Sequence, residues 1–260
     1  MESQLPSVPV YIPSKARAEK PKTADLLAES GVPFTVVVEP QDYDAYEAAR
    51  PEYDYMVLPE DNRGSVYARN WIRDTATSTA QYSGFAQPWY WVMDDDIDSF
   101  YIAANGKTAK CAAVQAVRGA EGYFLGHSSL AQVGLEFQQY AWSATEAFVL
   151  NTACRVAMCF HAQRLRRIRY REEMVLKQDT DFSMQVLAAG WHTARITRYA
   201  FGTGKYGESK GGQEHAYAVP GIEDEMVSRL IALWPGFVKR IVKKDGRVDV
   251  KIDWRALAPK

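Results

Sequence analysis

The stretch "WVMDDDIDSF" (91–100) places three consecutive aspartates directly after apolar and aromatic residues. The run "PWYWVM" (88–93) predicts a buried strand, because a short apolar segment bounded by turn signals is typical of a sheet interior. Three adjacent carboxylates repel one another, and each would lose hydration in a cleft. We therefore expect a positively charged partner among Asp94, Asp95 and Asp96.

Strand and helix signals alternate upstream of this stretch. Strands are expected at 8–12, 33–38, 53–58 and 88–93, and helices at 23–30, 43–50 and 65–77. Thr23 is the expected N-cap of the first helix, and Gly31 follows its end. This order is typical of right-handed βαβ units. It predicts an α/β fold with Rossmann-like topology, a mostly parallel sheet and helices on both faces.

The second half of the chain predicts a sheet that becomes mixed. Strands are expected at 130–140, 147–160, 166–176 and 192–200, although the first two segments also fit helices. A helix is expected over 179–190, with Asp179 as a capping aspartate and Gly190 at its end.

The C-terminal part combines a glycine-rich segment, a helix and a hairpin. The segment 201–215 has five glycines and predicts a flexible loop. An amphipathic helix over 221–234 precedes an Asp-Gly hairpin signal at 245–246. Because no segment of the chain has the composition of a linker, a single domain (1–260) is expected. Its parts are a first half (8–100), a second half (101–215) and a C-terminal helix and hairpin (220–256).

Composition narrows the class of protein. Lys and Arg total 31 against 32 Asp and Glu, so nucleic-acid binding would require a local basic patch. Three cysteines are too few for a disulfide framework and indicate a reducing compartment. We expect a cytoplasmic protein, because the N-terminus lacks signal-peptide order and no apolar run approaches the roughly 20 residues of a membrane span.

The aspartates suit a divalent cation. In an extended chain, residues two apart point the same way, so Asp94 and Asp96 would face one site. Their hard oxygen atoms suit Mg²⁺ or Mn²⁺, and a bound diphosphate would supply further ligands. The alternative is an acidic turn that caps a following helix.

Polar side chains also follow the other three strands, where ligands bind in open parallel sheets. They are Ser14, Lys15 and Arg17 after the first strand, Glu39 after the second, and Arg63, Arg69 and Asn70 after the third. A nucleotide is the expected ligand. Solvated loops, a surface turn and a surface ion pair are the alternatives.

Five segments carry a family resemblance. "VYIPSKAR", "VVVEP", "GSVYARNWI", "VMDDDID" and "KQDTDFSMQVLAAGW" follow one another in the order typical of GT-A-fold glycosyltransferases. Over about residues 8–200 the chain resembles the TET-associated glycosyltransferases of phages and their relatives. The resemblance implies a GT-A-like fold with a nucleotide-sugar half (8–100) and an acceptor half (101–215). It also implies a UDP-linked nucleotide sugar as donor and sugar transfer to 5-hydroxymethylpyrimidines in double-stranded DNA. For a phage enzyme it also implies the cytoplasm of the infected host.

The resemblance also implies roles for single residues. Asp94 and Asp96 would hold the metal, and Asp94 and Asp95 would contact the donor. Asp179 would be the general base of an inverting enzyme, with Asp181 as a second catalytic candidate. Gln178 replaces the family's usual acid, which leaves the mechanism open, and a retaining enzyme would not need Asp179 as base. Both aspartates also suit the first turn of a helix.

The glycine-rich loop fits a lid that excludes water from the donor. Lys205 and Lys210 would offset the diphosphate charge there, and His215 would be a further metal ligand. A surface loop with incidental lysines is the alternative. The remaining histidines, His127, His161 and His192, are expected to be structural or exposed.

An arginine-rich segment is the candidate DNA contact. In a strand, Arg167, Arg169 and Arg171 would line one face and bind phosphates, unless they form a solvated face paired with Glu172 and Glu173. Other GT-A acceptors (a protein, a glycan or a small molecule) remain open. So do a nucleotidyltransferase and a non-catalytic DNA-binding module.

Overall fold

The first half of the fold follows the expected strand and helix order. The computed structural model describes residues 8–82, 88–204, 216, 218–244 and 246–260, with the side chains of 80–82 excepted. The elements before the acidic segment are β1 (Val10–Pro13), α1 (Lys22–Glu29), β2 (Thr35–Val38), α2 (Pro40–Ala49), β3 (Asp54–Val57), α3 (Gly64–Tyr82) and β4 (Trp89–Met93).

The second half contributes most of the antiparallel strands. Its elements are β5 (Ile97–Ala104), β6 (Lys107–Cys111), α4 (Ala113–Phe124), β7 (Leu130–Phe137), α5 (Gln138–Ala141), β8 (Phe148–Leu150), β9 (Ala157–His161), α6 (Gln178–Ala188), β10 (His192–Thr203), α7 (Ile222–Leu233), β11 (Val238–Val242), β12 (Val248–Ile252) and α8 (Trp254–Leu257). None of the described helices is long and apolar enough to cross a membrane.

The main sheet has the order β3-β2-β1-β4-β9-β7-β10-β5-β6, and β8 pairs with β10. The strands β3, β2, β1 and β4 are parallel, so their carboxyl ends lie at one edge. The strand β9 runs antiparallel to β4, β7 is antiparallel to β9, and β10 is parallel to β7. The expected α/β fold, with a parallel first half and a mixed second half, is confirmed.

Alternation along β4 anchors the sheet between two helical layers. Trp89, Trp91 and Met93 pack into the core beneath α1 and α4, and Tyr90 and Val92 pack into the core beneath α3 and α6. All five side chains are buried, as the apolar run predicts. Because both faces of β4 are buried, the strand is held in place, and Asp94 follows directly at its end.

The strand expected at 166–176 is wrong, because the described chain forms turns and irregular backbone there. Ile168 and Tyr170 are nevertheless buried, so the alternating pattern is real but serves a loop packed on helices. The side-chain amide of Asn70 replaces a neighbouring strand. It donates to Tyr170 O at 2.9 Å and accepts from Tyr170 N at 3.0 Å.

Two expected helix caps are also wrong. Pro21 is the N-cap of α1, and Thr23 lies inside the first turn, where its hydroxyl bonds to the chain beyond β4. Lys177 precedes α6 in a left-handed conformation with φ 58°, so Asp179 lies within the helix. Each side chain has a tertiary partner that competes with a local cap.

The hairpin of β5 and β6 and the helix α4 were not expected from the sequence. Asn105 and Gly106 form the hairpin turn with φ of 51° and 73°, which is the chemistry of a tight two-residue turn. The expected C-terminal helix and hairpin are confirmed as α7 and the β11–β12 pair. The proposed division into donor and acceptor halves stays a prediction.

Candidate active site

The segment Asp94–Asp96 connects β4 to β5 as a turn, which we call the acidic turn. The extended conformation assumed for Asp94 and Asp96 is therefore wrong. The backbone N–H of Asp94 donates to Val156 O at 2.9 Å, just before β9. The acidic turn thus lies at the edge where the parallel strands end.

A buried guanidinium joins the acidic turn to α6. Arg69 Nη2 donates to Asp94 Oδ1 at 2.5 Å, and Arg69 Nη1 lies 3.5 Å from Asp179 Oδ1. Burial lowers the pKa of Arg69, but the negative charges of Asp179 and Asp94 raise it by a larger amount. The pKa therefore lies above its ordinary value, and the side chain stays charged. The expected positive partner of the aspartates is confirmed.

Desolvation dominates the electrostatics of Asp94. It raises the pKa of this carboxyl above its ordinary value, and the negative charges of Asp179, Asp96 and Asp95 add to the increase. Arg69 acts in the opposite direction. A nearby cation therefore stabilises the ionised form of Asp94.

Asp95 turns away from Asp94 toward the end of β1. Its carboxylate accepts from Ser14 Oγ at 2.5 Å and forms an ion pair with Arg17. Ser14 Oγ also lies 2.6 Å from the hydroxyl of Tyr46 on α2. Burial raises the pKa of Asp95, and Arg17 and Ser14 oppose that increase. These bonds join the acidic turn to two predicted donor-site residues.

The ends of β1, β2 and β3 share a second polar cluster. Lys15 Nζ donates to Glu39 Oε2 and to Asn62 Oδ1, each at 2.7 Å, and Gln41 also donates to Glu39. Burial alone would raise the pKa of Glu39, but hydrogen bonds and the charge of Lys15 lower it. Arg63 lies at the exposed rim, paired with Glu60 at 2.7 Å.

Asp96 differs from its neighbours. Its side chain is half-buried, and it forms no hydrogen bond or ion pair with the described residues. Asp179 Oδ1 likewise lacks a hydrogen-bond partner in the described part of the chain. These two carboxylates have unused acceptor capacity next to Asp94.

Asp181 lies apart from this group, and its carboxylate is saturated with donors. It is fully buried and accepts from Arg171, from Gln185 Nε2 at 2.8 Å and from Trp234 Nε1 at 2.8 Å. Burial raises its pKa, and those donors oppose the increase. These contacts join α6 to the end of α7 and so stabilise the packing of the two helices. Gln178, at the start of α6, is buried as well.

The three predicted DNA-contact arginines do not form one row. Arg167 is exposed, Arg169 pairs with Asp74 on α3 at 2.9 Å, and Arg171 pairs with the buried Asp181. The strand that was expected to align them is absent from the described chain at 166–176.

The predicted lid residues Lys205, Lys210 and His215 lie outside the described residues. Of the other histidines, His127 is exposed and His161 is buried. His192 Nδ1 lies 2.9 Å from Asn151 Oδ1.

Comparison with known proteins assigns the family. The sequence model described as TET-Associated Glycosyltransferase matches residues 8–212, most of the chain. The chain belongs to the TET-associated glycosyltransferase family. It is therefore a glycosyltransferase, as the five ordered segments predict.

Other comparisons add similarity without assigning a role to this glycosyltransferase. No curated protein matches the chain significantly. A crystal structure of 4-diphosphocytidyl-2C-methyl-D-erythritol synthase from Anaerococcus prevotii DSM 20548 is 8% identical, with a TM-score of 0.43, over 78% of this chain and 90% of that chain. A glycosyltransferase involved in the glycosylation of the major capsid of PBCV-1 is 9% identical, with a TM-score of 0.28, over 69% of this chain and 66% of that chain.

Sequence reasoning missed two residues that contact the backbone of the acidic turn of this glycosyltransferase. Val156 supplies the carbonyl that binds Asp94, from a backbone with φ 65°. No sequence signal predicts this, because left-handed backbone is rare for a β-branched residue. Thr23 was recognised only as a candidate cap, although its position near a helix start was correct.

A cavity of about 140 Å³ in the glycosyltransferase lies elsewhere, between α4, β7, β8 and β10. Its wall includes Leu130 and His192, the first residues of β7 and β10. Because β7 runs in the same direction as β4, these residues lie at the sheet edge opposite the acidic turn. The cavity is therefore separate from the charged group.

Proposed function

We propose that this glycosyltransferase transfers a sugar from a nucleotide sugar to the hydroxyl group of 5-hydroxymethylcytosine, or a related hydroxymethylpyrimidine, in DNA. One observation supports the site above all others: Arg69 joins Asp94 of the acidic turn to Asp179 of α6. A donor-binding strand end and a candidate base thereby become neighbours. The family assignment supports the reaction class.

We further propose a divalent cation, Mn²⁺ or Mg²⁺, at Asp94 and Asp96. Among the described residues, the ion pairs of Asp94, Asp95 and Asp179 involve two guanidinium groups, those of Arg17 and Arg69, and Asp96 has no ion pair. Four carboxylates therefore face two positive charges in this part of the chain. Within the described residues no three His, Cys, Asp or Glu side chains are spaced to hold a metal by themselves. Two carboxylates suffice if diphosphate oxygens complete the shell, as is usual for Mg²⁺.

The donor would lie across the ends of β1 to β4. A bound cation would offset the charge of the diphosphate as it leaves. Ser14 and Arg17 follow β1 and bind Asp95 of the acidic turn, and Glu39 follows β2. A nucleotide on this edge of the sheet would contact these side chains. Lys205, Lys210 and His215 remain predicted contacts of the same ligand.

Asp179 would act on the acceptor. In an inverting reaction the acceptor oxygen bonds to the anomeric carbon, the bond from that carbon to the diphosphate oxygen breaks, and the acceptor proton moves to the Asp179 carboxylate. Its Oδ1 has no hydrogen-bond partner among the described residues and can accept that proton. Asp181 is less suited, because three donors surround its carboxylate.

The DNA contact would use Arg167 and Arg169. Arg167 is exposed, and the Arg169–Asp74 pair lies at the surface, where phosphate can displace a carboxylate at little cost. Arg171 would not contribute, because it balances the buried Asp181. A hydroxymethyl group projects into the major groove, so transfer needs groove access or a flipped nucleotide.

The proposed substrate also implies a cytoplasmic enzyme, including the cytoplasm of a host infected by a phage. The three cysteines are unpaired, which agrees with a reducing compartment.

A donor panel with matched DNA substrates tests the proposal. Purified protein is incubated with Mn²⁺, individual nucleotide sugars, and duplexes containing either hydroxymethylcytosine or cytosine, and the DNA is analysed by mass spectrometry. We expect one hexose mass to be added only to the hydroxymethylated duplex, and Asp96→Asn to abolish the addition while the protein remains folded. Transfer to a protein, glycan or small-molecule hydroxyl, with none to DNA, would overturn the proposed acceptor.

The arginine contact has its own measurement. Arg167→Ala should lower DNA affinity and reduce the slope of log affinity against log salt by about one. An unchanged slope for this variant would exclude Arg167 from the phosphate contact.

A further inference from the structure

One buried hydroxyl holds the backbone of the acidic turn at both ends. Thr23 Oγ1 donates to Asp94 O at 2.6 Å and accepts from the N–H of Ile97 at 3.0 Å. Thr23 is fully buried, so water does not replace these bonds. The hydroxyl therefore joins α1 to Asp94, the first residue of the acidic turn, and to Ile97, the first residue of β5.

Val156 holds the other side of the same turn. Its carbonyl accepts from Asp94 N at 2.9 Å, so both backbone groups of Asp94 have partners outside the turn. Val156 adopts φ 65°, a conformation that a β-branched side chain strongly disfavours. Such a conformation persists only when its surroundings fix it, and it is common next to functional groups.

The acidic turn needs such restraint because its charges repel one another. Asp94, Asp95 and Asp96 are adjacent in the chain, so their negative charges lie close together and repel one another. A flexible turn would separate the carboxylates. Two carboxylates bind a cation well only if they are held at a fixed separation before it arrives.

We propose that Thr23 is a positioning residue that preorganises the acidic turn, with Val156 on the opposite side, for the cation and the diphosphate. This inference rests on the proposed metal site at Asp94 and Asp96. Thr23 itself touches neither ligand, because its hydroxyl is saturated by the backbone. It acts only by fixing the backbone from which the carboxylates of the acidic turn extend.

The chain offers a closely matched control. Thr193 is also fully buried, and its hydroxyl likewise donates to one backbone carbonyl, Thr152 O at 2.7 Å, and accepts from one backbone N–H, Thr152 N at 2.9 Å. Thr23→Val and Thr193→Val therefore remove the same number and type of bonds from the interior. Their effects on stability should be similar, but only the first should change the acidic turn.

The test measures Mn²⁺ binding by the electron paramagnetic resonance signal of free Mn²⁺, in the presence of uridine diphosphate and without acceptor. The Mn²⁺ bound by uridine diphosphate alone is measured in a titration without protein and subtracted. We expect Thr23→Val to raise the dissociation constant about tenfold, which equals about 1.4 kcal/mol, while Thr23→Ser and Thr193→Val stay within twofold of the unmodified protein. Wild-type-like affinity in Thr23→Val, or an equal loss in Thr193→Val, would overturn the positioning role.

Hydrogen exchange separates this inference from the proposed function. Thr23→Val should speed exchange of the Ile97 amide, and Thr193→Val should leave it unchanged. If the unmodified protein binds no Mn²⁺ in the presence of uridine diphosphate, the proposed metal site fails and this inference fails with it. If the unmodified protein binds Mn²⁺ and Asp96→Asn does not, but Ile97 is equally protected in Thr23→Val, only the positioning role is wrong.

Discussion

Replacing Arg69 by Met tests whether this guanidinium is the counter-ion of two carboxylates. The Arg69 side chain is 3% exposed, and its partners Asp179 and Asp94 are 14% and 32% exposed. Breaking a buried ion pair from one side typically costs about 3–5 kcal/mol, because the remaining charge stays desolvated. Partial exposure of Asp94 places the expected loss in unfolding free energy at the lower limit, about 3 kcal/mol.

Urea denaturation at pH 7 without metal measures this loss. The control is Arg63→Met, the same substitution at an exposed residue just before α3 whose partner is the exposed Glu60, and it should leave the denaturation midpoint unchanged. Adding Asp179→Asn to Arg69→Met should restore part of the lost stability. The reasoning is refuted if the two Met variants unfold at the same urea concentration, or if the second substitution destabilises further.

Two further predictions concern stability away from the site. Burial lowers the pKa of His161 to about 4. Between pH 6.5 and pH 4 the imidazole therefore gains its proton only on unfolding. The free energy of unfolding should fall by up to about 1.4 kcal/mol per pH unit as the pH drops through this range. In urea titrations across that range, His161→Phe should remove this pH dependence of stability and His127→Phe should keep it. Equal pH dependence in the two variants would contradict its assignment to His161. A Cβ at Gly119 would lie 2.1 Å from the Tyr199 ring, whereas a Cβ at Gly122, on the same helix, would meet nothing within 4 Å. Gly119→Ala should therefore lower the melting temperature, and Gly122→Ala should raise stability by up to about 1 kcal/mol; the reverse order would contradict the packing of α4.

Local patterns predicted the part of the fold in which each element carries its own signal. The four parallel strands and the three helices between them follow from apolar runs separated by helical segments. The 166–176 segment shows where that reasoning fails. Its buried Ile168 and Tyr170 alternate as in a strand, but their partners are helices and the Asn70 amide, which periodicity alone does not reveal.

The candidate site was predicted as a set of strand ends, but its pairings were not. Proximity of Asp94 to Arg69 follows from the rule that ligands gather at carboxyl ends of parallel strands. The contact of Arg69 with Asp179 depends on where α6 packs, which residue spacing does not determine. The Thr23 bonds were hidden for a similar reason, since a threonine near a helix start looks like a cap.

The most direct test of the central claim is a crystal structure with Mn²⁺ and a nucleoside diphosphate, using the anomalous signal of manganese. The account predicts a peak coordinated by the carboxylates of Asp94 and Asp96 and by diphosphate oxygens. A structure with the nucleotide bound, no manganese at these carboxylates and Asp96 directed into solvent would contradict it.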